Sequence, residues 1–449
     1  MRSLLVVVYL TLVILGLVMF YLHRGEGFDA GEHPLPVLNH LYGNSGTSAV
    51  RTESHPPHPP GDWSPARDGG ARPGDDELEN LRSLGYLSGS EEAPVVEGVT
   101  IYDPERAFEG YNLITSGHAP GVMLVDMEGN VVHEWYTDVY RMAPWPHPRE
   151  SNMDMQYWTR ATLFDNGDVI VLCERLGIFG LDKDSNILWT SGHIESHHDF
   201  DVGPDGRIYA MCSDVYIDDD YNPYQPIADN FVRILGPTGN LIRTISIRDA
   251  LASSPYAPIL TRLPPAGDIL HGNTVEYIRG DRDRIAPLRE GTLLLSFRTP
   301  DLVCALDPQT ENIYWAESDL WAKQHQPTLL RNGNILVFDN CGRPHQSTVL
   351  EFDPSTRRVE WFYRGTEEEP FFSLSHGSCQ RLPNGNTLIT ESNQGRVFEV
   401  TPDKEIVWEY VSPFRAGENR ELIAQLFPVL RVPPERVNAW LNADPPGPL

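Results

Sequence analysis

Apolar and polar residues alternate along most of the chain from about residue 95 onward, and turn residues interrupt the alternation at intervals. Alternation with a period of two is typical of β-strands that bury one face, and Asn-Gly or Asp-Gly between such runs predicts a hairpin turn. A turn followed by an apolar strand recurs six times, at residues 110–114, 166–171, 205–209, 291–295, 332–337 and 384–389. We therefore expect the body of the protein to consist of repeated β-units.

Each repeat continues with a second and a third strand, and the third strand is usually closed by a tryptophan. These tryptophans are Trp135, Trp189, Trp315, Trp361 and Trp408. The third copy, around residues 235–242, keeps the turn but lacks the tryptophan. One such unit cannot bury both of its faces, whereas units arranged radially cover one another. The sequence thus predicts an all-β fold, a six-bladed β-propeller over residues 95–415.

The N-terminal end differs from this body. Residues 4–22 form an uncharged apolar run that is long enough to cross a bilayer. No small-x-small cleavage site follows, so a transmembrane signal-anchor over residues 1–24 is favoured over a cleavable signal peptide. The Gly, Pro, Ser and His content of residues 25–74 indicates a flexible, disordered tether.

The segments that flank the propeller are predicted to contain short helices. Residues 75–94 are expected to form an amphipathic helix and a linker, and residues 416–449 a tail with a helix at 418–430 that packs across a blade edge. A large acidic body behind one N-terminal span indicates export. We expect a membrane-anchored protein whose body lies in the periplasm or outside the cell.

Charge and cysteine content narrow the function classes. Lys and Arg number 35 against 63 Asp and Glu, so the formal charge is −28. Nucleic acid is not an expected partner, because phosphate binding requires a basic face. The five cysteines show no metal-type spacing, and Cys341 with Cys379 is the candidate disulfide pair. The acidic run at 218–220 is interpreted as a solvated loop rather than a calcium site.

Histidines stand just before the turn in four of the six repeats. In a propeller the innermost strand of each blade begins at one end of the central channel, so these side chains are expected to converge there. Neutral imidazoles at one pole suit either a metal ion or a nucleophile and proton carriers around an anionic substrate. The residues are His197 and His198, His271, His325 and His376, with Arg160 at the like position of the second repeat.

Two further basic residues, Arg343 and His345, follow the inner strand of the fifth repeat and are expected near the same pole. A guanidinium group suits bidentate contact with sulfate or phosphate oxygens. The histidines and these residues together favour an anionic substrate.

Several of these segments resemble the bacterial arylsulfotransferase (aryl-sulfate sulfotransferase) family. The segments are Gln324-His325, 332–340, Arg343, Ser375-His376, 382–386, 271–274 and 296–299. The resemblance covers the propeller and is most specific in the fifth and sixth blades. It implies transfer of a sulfuryl group from an aryl sulfate ester to a phenolic acceptor through a sulfohistidine intermediate, without a nucleotide sulfate donor or any cofactor. The sequence has no phosphate-binding Gly-rich loop with a lysine.

The resemblance also implies residue roles. His376 matches the nucleophile, His325 and Arg343 match the groups that bind the sulfate oxygens, and His271 or His198 matches the remaining histidine. By position, His197, His198, Arg160 and His345 are expected to contact substrate, and no residue is assigned to a metal. The N-terminal β-domain that supports dimerisation in the family has no counterpart here, so no oligomeric state is predicted.

Two other functions remain open from the residues. One is a propeller that only binds a partner, since one fold hosts many functions. The other is a quinone-cofactor dehydrogenase, which hairpins such as residues 307–315 suggest.

Overall fold

The computed structural model describes residues 90–137, 157–192, 194–283 and 286–442. The predicted anchor, the tether and the amphipathic helix before residue 90 lie outside these ranges. None of the helices within them combines the length and the apolar character that a membrane crossing requires.

The described chain is built almost entirely of β-strands. In chain order the strands are β1 (Gly98–Tyr102), β2 (Tyr111–Thr115), β3 (Gly121–Val125), β4 (Val131–Tyr136), β5 (Trp158–Leu163), β6 (Val169–Cys173), β7 (Gly177–Leu181), β8 (Ile187–Thr190), β9 (Ser196–Val202), β10 (Ile208–Asp218), β11 (Asn222–Leu235), β12 (Leu241–Ser246), β13 (Gly267–Asp268), β14 (Gly272–Tyr277), β15 (Leu293–Phe297), β16 (Leu302–Asp307), β17 (Asn312–Glu317), β18 (His325–Leu329), β19 (Ile335–Arg343), β20 (Gln346–Phe352), β21 (Val359–Arg364), β22 (Ser378–Arg381), β23 (Thr387–Glu391), β24 (Arg396–Val400), β25 (Ile406–Val411), β26 (Arg415–Ala416), β27 (Leu422–Ile423) and β28 (Leu430–Val432). The helices are α1 (Ile247–Ala252), a 3₁₀ helix (Ala257–Arg262) and α2 (Glu435–Leu441).

These strands form the six blades of a β-propeller in the described part of the chain, which confirms the predicted fold. In the second to sixth blades four consecutive strands form the sheet, beginning with β5, β9, β14, β18 and β22. The first blade has the order β28-β2-β3-β4. The six leading strands β28, β5, β9, β14, β18 and β22 all contribute to the lining of one cavity, so they surround the propeller axis.

Residues of the outermost strands connect each blade to the next. The indole Nε1 of Trp135 donates to Gly167 O in the second blade, and that of Trp361 donates to Pro402 O in the sixth. In the third blade, which lacks the tryptophan, Arg243 pairs in register with Ile234 and donates to Pro308 O of the fourth blade. The arginine therefore takes the position of the missing tryptophan and makes the same kind of bridge.

Both ends of the described chain close the ring. The N-terminal β1 adds to the outer edge of the sixth blade by pairing with β25, and the C-terminal β28 provides the inner strand of the first blade by pairing with β2. Strand β28 lies beyond the predicted propeller end at residue 415. It is an integral strand of a blade and not a tail across an edge, because the first blade has only three strands of its own.

A fully buried ion pair holds this closure together. Arg431 on β28 lies 3.0 Å from Glu399 on β24, and neither side chain is exposed to solvent. Arg431 Nε also donates to Asn112 Oδ1 on β2 at 2.8 Å, and its guanidinium lies over the ring of Trp408. Burial lowers the pKa of Arg431, and Glu399 opposes this effect. The charge is thus retained only because the first and last blades meet around it.

One prediction about local structure is wrong, and one candidate disulfide pair is not formed. Residues 418–430 form no helix; they contain the short strand β27, which pairs with β26, and the helix of this region is α2 at Glu435–Leu441. The Pro-rich character of the tail and the pairing needs of the first blade favour extended chain there. Cys341 and Cys379 are free thiols, as are the other three cysteines. Cys379 lies in an apolar core cluster, where a thiol packs as a small hydrophobe.

We expect Arg431→Met to lower the free energy of unfolding by about 3–5 kcal/mol, because it leaves Glu399 buried without its partner. Denaturant unfolding measures this loss. Adding Glu399→Gln should recover part of it. The control is Arg420→Met, which breaks the ion pair between Arg420 and Glu97. This pair is at the surface, with the Arg420 side chain 62% exposed and that of Glu97 47% exposed. That change should cost less than about 1 kcal/mol; equal losses for the two variants would contradict the role given to the buried pair.

Candidate functional site

Local irregularities in the inner strands direct side chains toward the axis. The register of the inner strand shifts beside Arg160 on β5, at residues 196–200 on β9, beside Gly272 on β14 and after His325 on β18. His198 and His271 have left-handed φ values of 59° and 54°. A β-bulge re-aims the side chain at which it occurs. These repeated bulges turn histidines of different blades toward the same end of the axis, as the sequence predicted.

The structure brings five of the predicted histidines together. The ring centroid of His198 lies 5.1 Å from that of His197, 5.2 Å from His271, 6.2 Å from His325 and 5.2 Å from His376. The rings of His325 and His376 are 5.7 Å apart. We call these five residues the histidine cluster. His197 and His198 lie on β9 and His325 begins β18, whereas His271 directly precedes β14 and His376 lies two residues before β22.

The tautomer of His325 is set by Asn340. The amide Nδ2 of Asn340 donates to the backbone carbonyls of Ser373 and His376, so its Oδ1 must face His325. That Oδ1 lies 2.7 Å from His325 Nδ1, which also lies 3.0 Å from Lys323 O. Both neighbours are acceptors, so Nδ1 carries the proton and Nε2 keeps its lone pair. In the described structure this buried Nε2 has no hydrogen-bond partner.

Burial keeps several members of the histidine cluster neutral. It lowers the pKa of His325 well below 6.5, and the nearby His376 adds to the effect. The pKa of His198 is likewise lowered well below 6.5 by burial and then by His197 and His376. Burial lowers the pKa of His197 to about 3. Neutral imidazoles are nucleophiles and ligands, whereas imidazolium ions are neither.

His197 and His198 form a hydrogen-bonded pair within the cluster. Their Nδ1 atoms lie 2.9 Å apart, so one ring donates to the other. Asn230 supports the pair, because its Nδ2 lies 3.2 Å from His197 Nε2 while its Oδ1 accepts from Gly272 N. The backbone N–H of His198 donates to Glu174 Oε1 at 2.8 Å. Burial raises the pKa of Glu174 to about 7.

Charged partners surround the cluster. His271 Nδ1 lies 2.7 Å from Asp268 Oδ2. Burial acts to raise the pKa of Asp268, but the pair with His271 lowers it overall. Arg160 Nε lies 3.0 Å from Asp199 Oδ1, and burial raises the pKa of Asp199 to about 6 against the opposing effect of Arg160.

Two cavities lie along the axis. The smaller, about 20 Å³, is lined by His198, His325 and His376 together with Asp199 and Phe427. The Phe427 ring is perpendicular to that of His376 at 5.6 Å and stacks on Tyr157 at 5.4 Å. The larger cavity, about 750 Å³, extends toward the other ends of the inner strands and shares Asp199 with the smaller one. Aromatic and histidine rings thus enclose a space of about one water molecule.

Arg343 and His345 are not part of this cluster. Both are exposed, at the turn between β19 and β20, where Arg343 pairs in register with Gln346. The His345 ring contacts Phe372 at 5.9 Å. The expectation that they converge with the histidines is therefore not met in the described structure. β19 runs past the end of its inner neighbour, and both residues lie in the exposed part of the hairpin beyond it.

Sequence reasoning missed the residues that orient the histidines. Asn340 on β19 and Asn230 on β11 are buried amides, and no local pattern distinguishes Asn230 from other asparagines, whereas Asn340 ends the segment 332–340 that carried part of the family resemblance. Arg298, whose charge acts on His325 and whose N–H donates to His271 O, lies in the segment 296–299 that carried part of the family resemblance. Phe427 comes from the C-terminal segment that the predicted propeller boundary excluded. Arg298 and Asn340 therefore had a usable signal in the sequence, through the family resemblance, whereas Asn230 and Phe427 had none.

The acidic run at 218–220 has internal partners. Asp218 Oδ2 binds Arg248 at 2.6 Å, and its Oδ1 accepts from the backbone N–H groups of Asp220 and Tyr221. The carboxylate therefore holds a turn and an ion pair. This agrees with a loop rather than a calcium site.

A β-propeller with a buried histidine cluster on its axis is the class of protein that the fold and the site define. A family model described as Arylsulfotransferase (ASST) matches residues 160–413, more than half of the chain. The chain belongs to the arylsulfotransferase family, and the family implies a sulfotransferase enzyme that acts on small aryl sulfate and phenol substrates. No curated protein matches the chain.

Solved structures with a similar fold are distant in sequence. A protein of unknown function from Bacteroides caccae is 12% identical, with coverage of 68% of this chain and 94% of that chain and a TM-score of 0.44. The WD40 β-propeller domain of Doa1 is 11% identical, with coverage of 71% and 79% and a TM-score of 0.38. Streptogramin B lyase is 13% identical, with coverage of 60% and 76% and a TM-score of 0.36. These likenesses carry no information on activity.

We expect His325 to stay neutral, with its proton on Nδ1, well below pH 6.5. Burial penalises the imidazolium form, so the ring should take up a proton only at a pH lower than an ordinary histidine does. Nitrogen-15 NMR of labelled imidazole rings between pH 7.5 and 5 measures both properties, and the signal is assigned by its loss in His325→Gln. Protonation at or above pH 6.5 would contradict the assignment. In Asn340→Leu, which lacks the acceptor, the preference for the Nδ1 proton should weaken.

Proposed function

We propose that the histidine cluster transfers a sulfuryl group from an aryl sulfate ester to a phenol through a sulfohistidine intermediate, without a nucleotide donor. The observation that carries this proposal is the convergence of buried, neutral imidazoles on the axis of an arylsulfotransferase propeller. In the first step an imidazole nitrogen bonds to sulfur while the S–O bond to the aryl group breaks and the phenolate leaves. In the second step a phenol oxygen bonds to sulfur, the S–N bond breaks, and the phenol proton passes to a base.

His376 is our candidate for the nucleophile. The family resemblance points to it, its ring lies within the cluster, and Asn340 holds its backbone carbonyl. The next residue supports its placement. A Cβ on Gly377 would lie 2.4 Å from the ring of Phe338, and its φ of 157° disfavours other residues, so glycine lets the chain pass close to the core. His325 Nε2, with its unshared lone pair, is the competing nucleophile that the experiment must separate from it.

The remaining groups suit binding of the sulfate oxygens. The His198 ring lies 5.2 Å from that of His376, the rings of His197 and His271 contact His198, and Arg160 and Arg298 supply positive charge near the cluster. These charges lie inside a protein of formal charge −28, so an anion is favoured only at this pole. A substrate-binding role for Arg343, which the resemblance implies, and for His345, which its position in the sequence suggested, requires their exposed turn to move toward the histidine cluster.

Substrate entry requires a local rearrangement. The cavity of about 20 Å³ beside the histidines holds roughly one water and is too small for an aryl sulfate. Phe427 and Pro428 line it and connect to strand β28. We propose that this segment withdraws to admit the donor, and that the Phe427 ring then packs against the aryl group. Sulfuryl transfer is governed by positioning and charge stabilisation, as phosphoryl transfer is, so closure of this segment would align the reacting atoms.

The test is intact-protein mass spectrometry after brief mixing with a chromogenic aryl sulfate, with neither nucleotide nor phenol added. We expect release of one phenol and an added sulfuryl mass that maps to His376 after a basic quench. The adduct should disappear when a phenol acceptor is supplied. His376→Ala should abolish both release and adduct while circular dichroism stays unchanged, and the exposed His345→Ala should retain at least part of the activity of the parent protein.

Other outcomes separate the parts of the proposal. An adduct on His325 would overturn the choice of nucleophile but support the covalent mechanism. Phenol release with no adduct in the parent protein would contradict the sulfohistidine step. Neither phenol nor adduct with several aryl sulfates would favour a propeller that only binds a partner.

A further inference from the structure

Three imidazoles of the histidine cluster have the arrangement of a metal site. His198, His325 and His376 each offer a ring nitrogen, and these three nitrogens all lie within 4.8 Å of one another. All three side chains are buried. Zinc-nitrogen bonds are about 2.0–2.1 Å long, so ligand nitrogens of a tetrahedral ion lie about 3.3 Å apart. Inward shifts of about an ångström would therefore complete the coordination. We call these residues the three-histidine site.

The ring nitrogen of His325 that faces away from the centre is already held as a metal ligand requires. His325 Nδ1 donates to Asn340 Oδ1 and lies against Lys323 O, which leaves the buried Nε2 lone pair without a partner in the described structure. Histidines that bind a metal almost always donate their second ring N–H in this way, which fixes the ring and its tautomer. The His198 ring is positioned by His197, whose Nδ1 lies 2.9 Å from His198 Nδ1. Because Asn230 Nδ2 donates to His197 Nε2, the proton between the two rings belongs to His197, and a metal would displace the Nε2 proton of His198.

The space between the three rings fits an ion. The cavity of about 20 Å³ that they line has room for one metal-bound water. Three histidines with a fourth, open position form the ligand set of a known class of zinc sites. Imidazole is also a good ligand for copper and nickel, whereas calcium and magnesium require oxygen ligands. The nitrogen ligands and the size of the cavity therefore both favour a divalent transition-metal ion over calcium or magnesium.

We propose that the three-histidine site binds one divalent transition-metal ion, with Zn²⁺ as the reference ion, and that this ion competes with aryl sulfates. The metal would occupy the lone pairs that sulfuryl transfer uses, so the metal-bound protein would not transfer sulfuryl groups. Metal binding itself does not depend on the proposed function, because it requires only the geometry of the three rings. The spacing of the ligands in the sequence gave no sign of this site, since each ligand comes from a different blade.

The experiment is calorimetric titration of the untagged full-length protein, treated with chelator, with ZnCl₂. We expect one equivalent to bind, and Co²⁺ to give the intense visible absorption of a tetrahedral site. His325→Gln should weaken binding at least about 100-fold. The matched control is His345→Gln, an exposed histidine outside the cluster, which should bind as the parent protein does. Unchanged affinity in His325→Gln, or no saturable binding in the parent, would overturn the proposal.

Asn340 provides a second test that does not remove a ligand. Asn340→Leu should weaken Zn²⁺ binding about 10–100-fold, because it releases the His325 ring. Asn340→Asp keeps the acceptor and should bind at least as tightly as the parent. Equal affinities for the Leu and Asp variants would contradict the orienting role and the site with it. This test also covers the case in which His325→Gln fails to fold.

The two proposals fail separately. Formation of the sulfuryl adduct by chelator-treated protein tests the enzyme, and calorimetry tests the metal site. If both proposals hold, Zn²⁺ should raise the apparent KM for the aryl sulfate without changing kcat. Loss of activity that excess aryl sulfate cannot reverse would contradict competition at the three-histidine site.

Discussion

Closure of the ring between the first and the last blade is the constraint on which the position of the site depends. A propeller sheet has two faces that must both be covered, and a ring achieves this only if its ends join. Here β28 and β1 join them from opposite ends of the chain, and the buried pair of Arg431 and Glu399 lies at the junction. A buried ion pair stabilises little against an apolar alternative, but it tolerates only one geometry. It therefore favours one register for β28.

The register of β28 also affects the site, because the residues just before β28 lie beside the histidine cluster on the axis. Phe427 lies three residues before β28 and contacts His376, so the same segment closes the ring and walls the cavity. Movement that admits a substrate must occur beside the closure without breaking it. The buried hydrogen bonds of Arg431 to Asn112 and Glu399 hold the strand, and just before it the backbone N–H groups of Leu426 and Phe427 donate to Ser392 O and Thr115 O. Withdrawal of this segment would therefore break those two backbone hydrogen bonds while the contacts of Arg431 stay in place.

Nucleophilicity and anion binding place opposite demands on the histidines. A nucleophile must be neutral, while sulfate oxygens are best bound by positive charge. Burial keeps His197, His198 and His325 neutral, while positive charge comes from Arg160, which pairs with the buried Asp199, and from Arg298, whose charge acts on His325. The same neutral lone pairs make a transition metal a natural competitor for the site. Both proposals follow from this one electrostatic arrangement.

The sequence by itself determined the six-bladed all-β fold and the convergence of His198, His271, His325 and His376, because turns and strand alternation repeat with the structural unit. It also carried the family resemblance in the fifth and sixth blades. Only the tertiary structure decided that β28 belongs to the first blade, that Arg243 replaces a tryptophan, that Arg343 and His345 lie in an exposed turn, and that Asn340 sets a tautomer. These features depend on contacts between residues far apart in the chain, such as Arg431 and Asn112, and no local pattern encodes such contacts. The periodicity of the sequence identifies the strands and turns that recur in every blade, whereas the site also depends on residues that differ from one blade to the next.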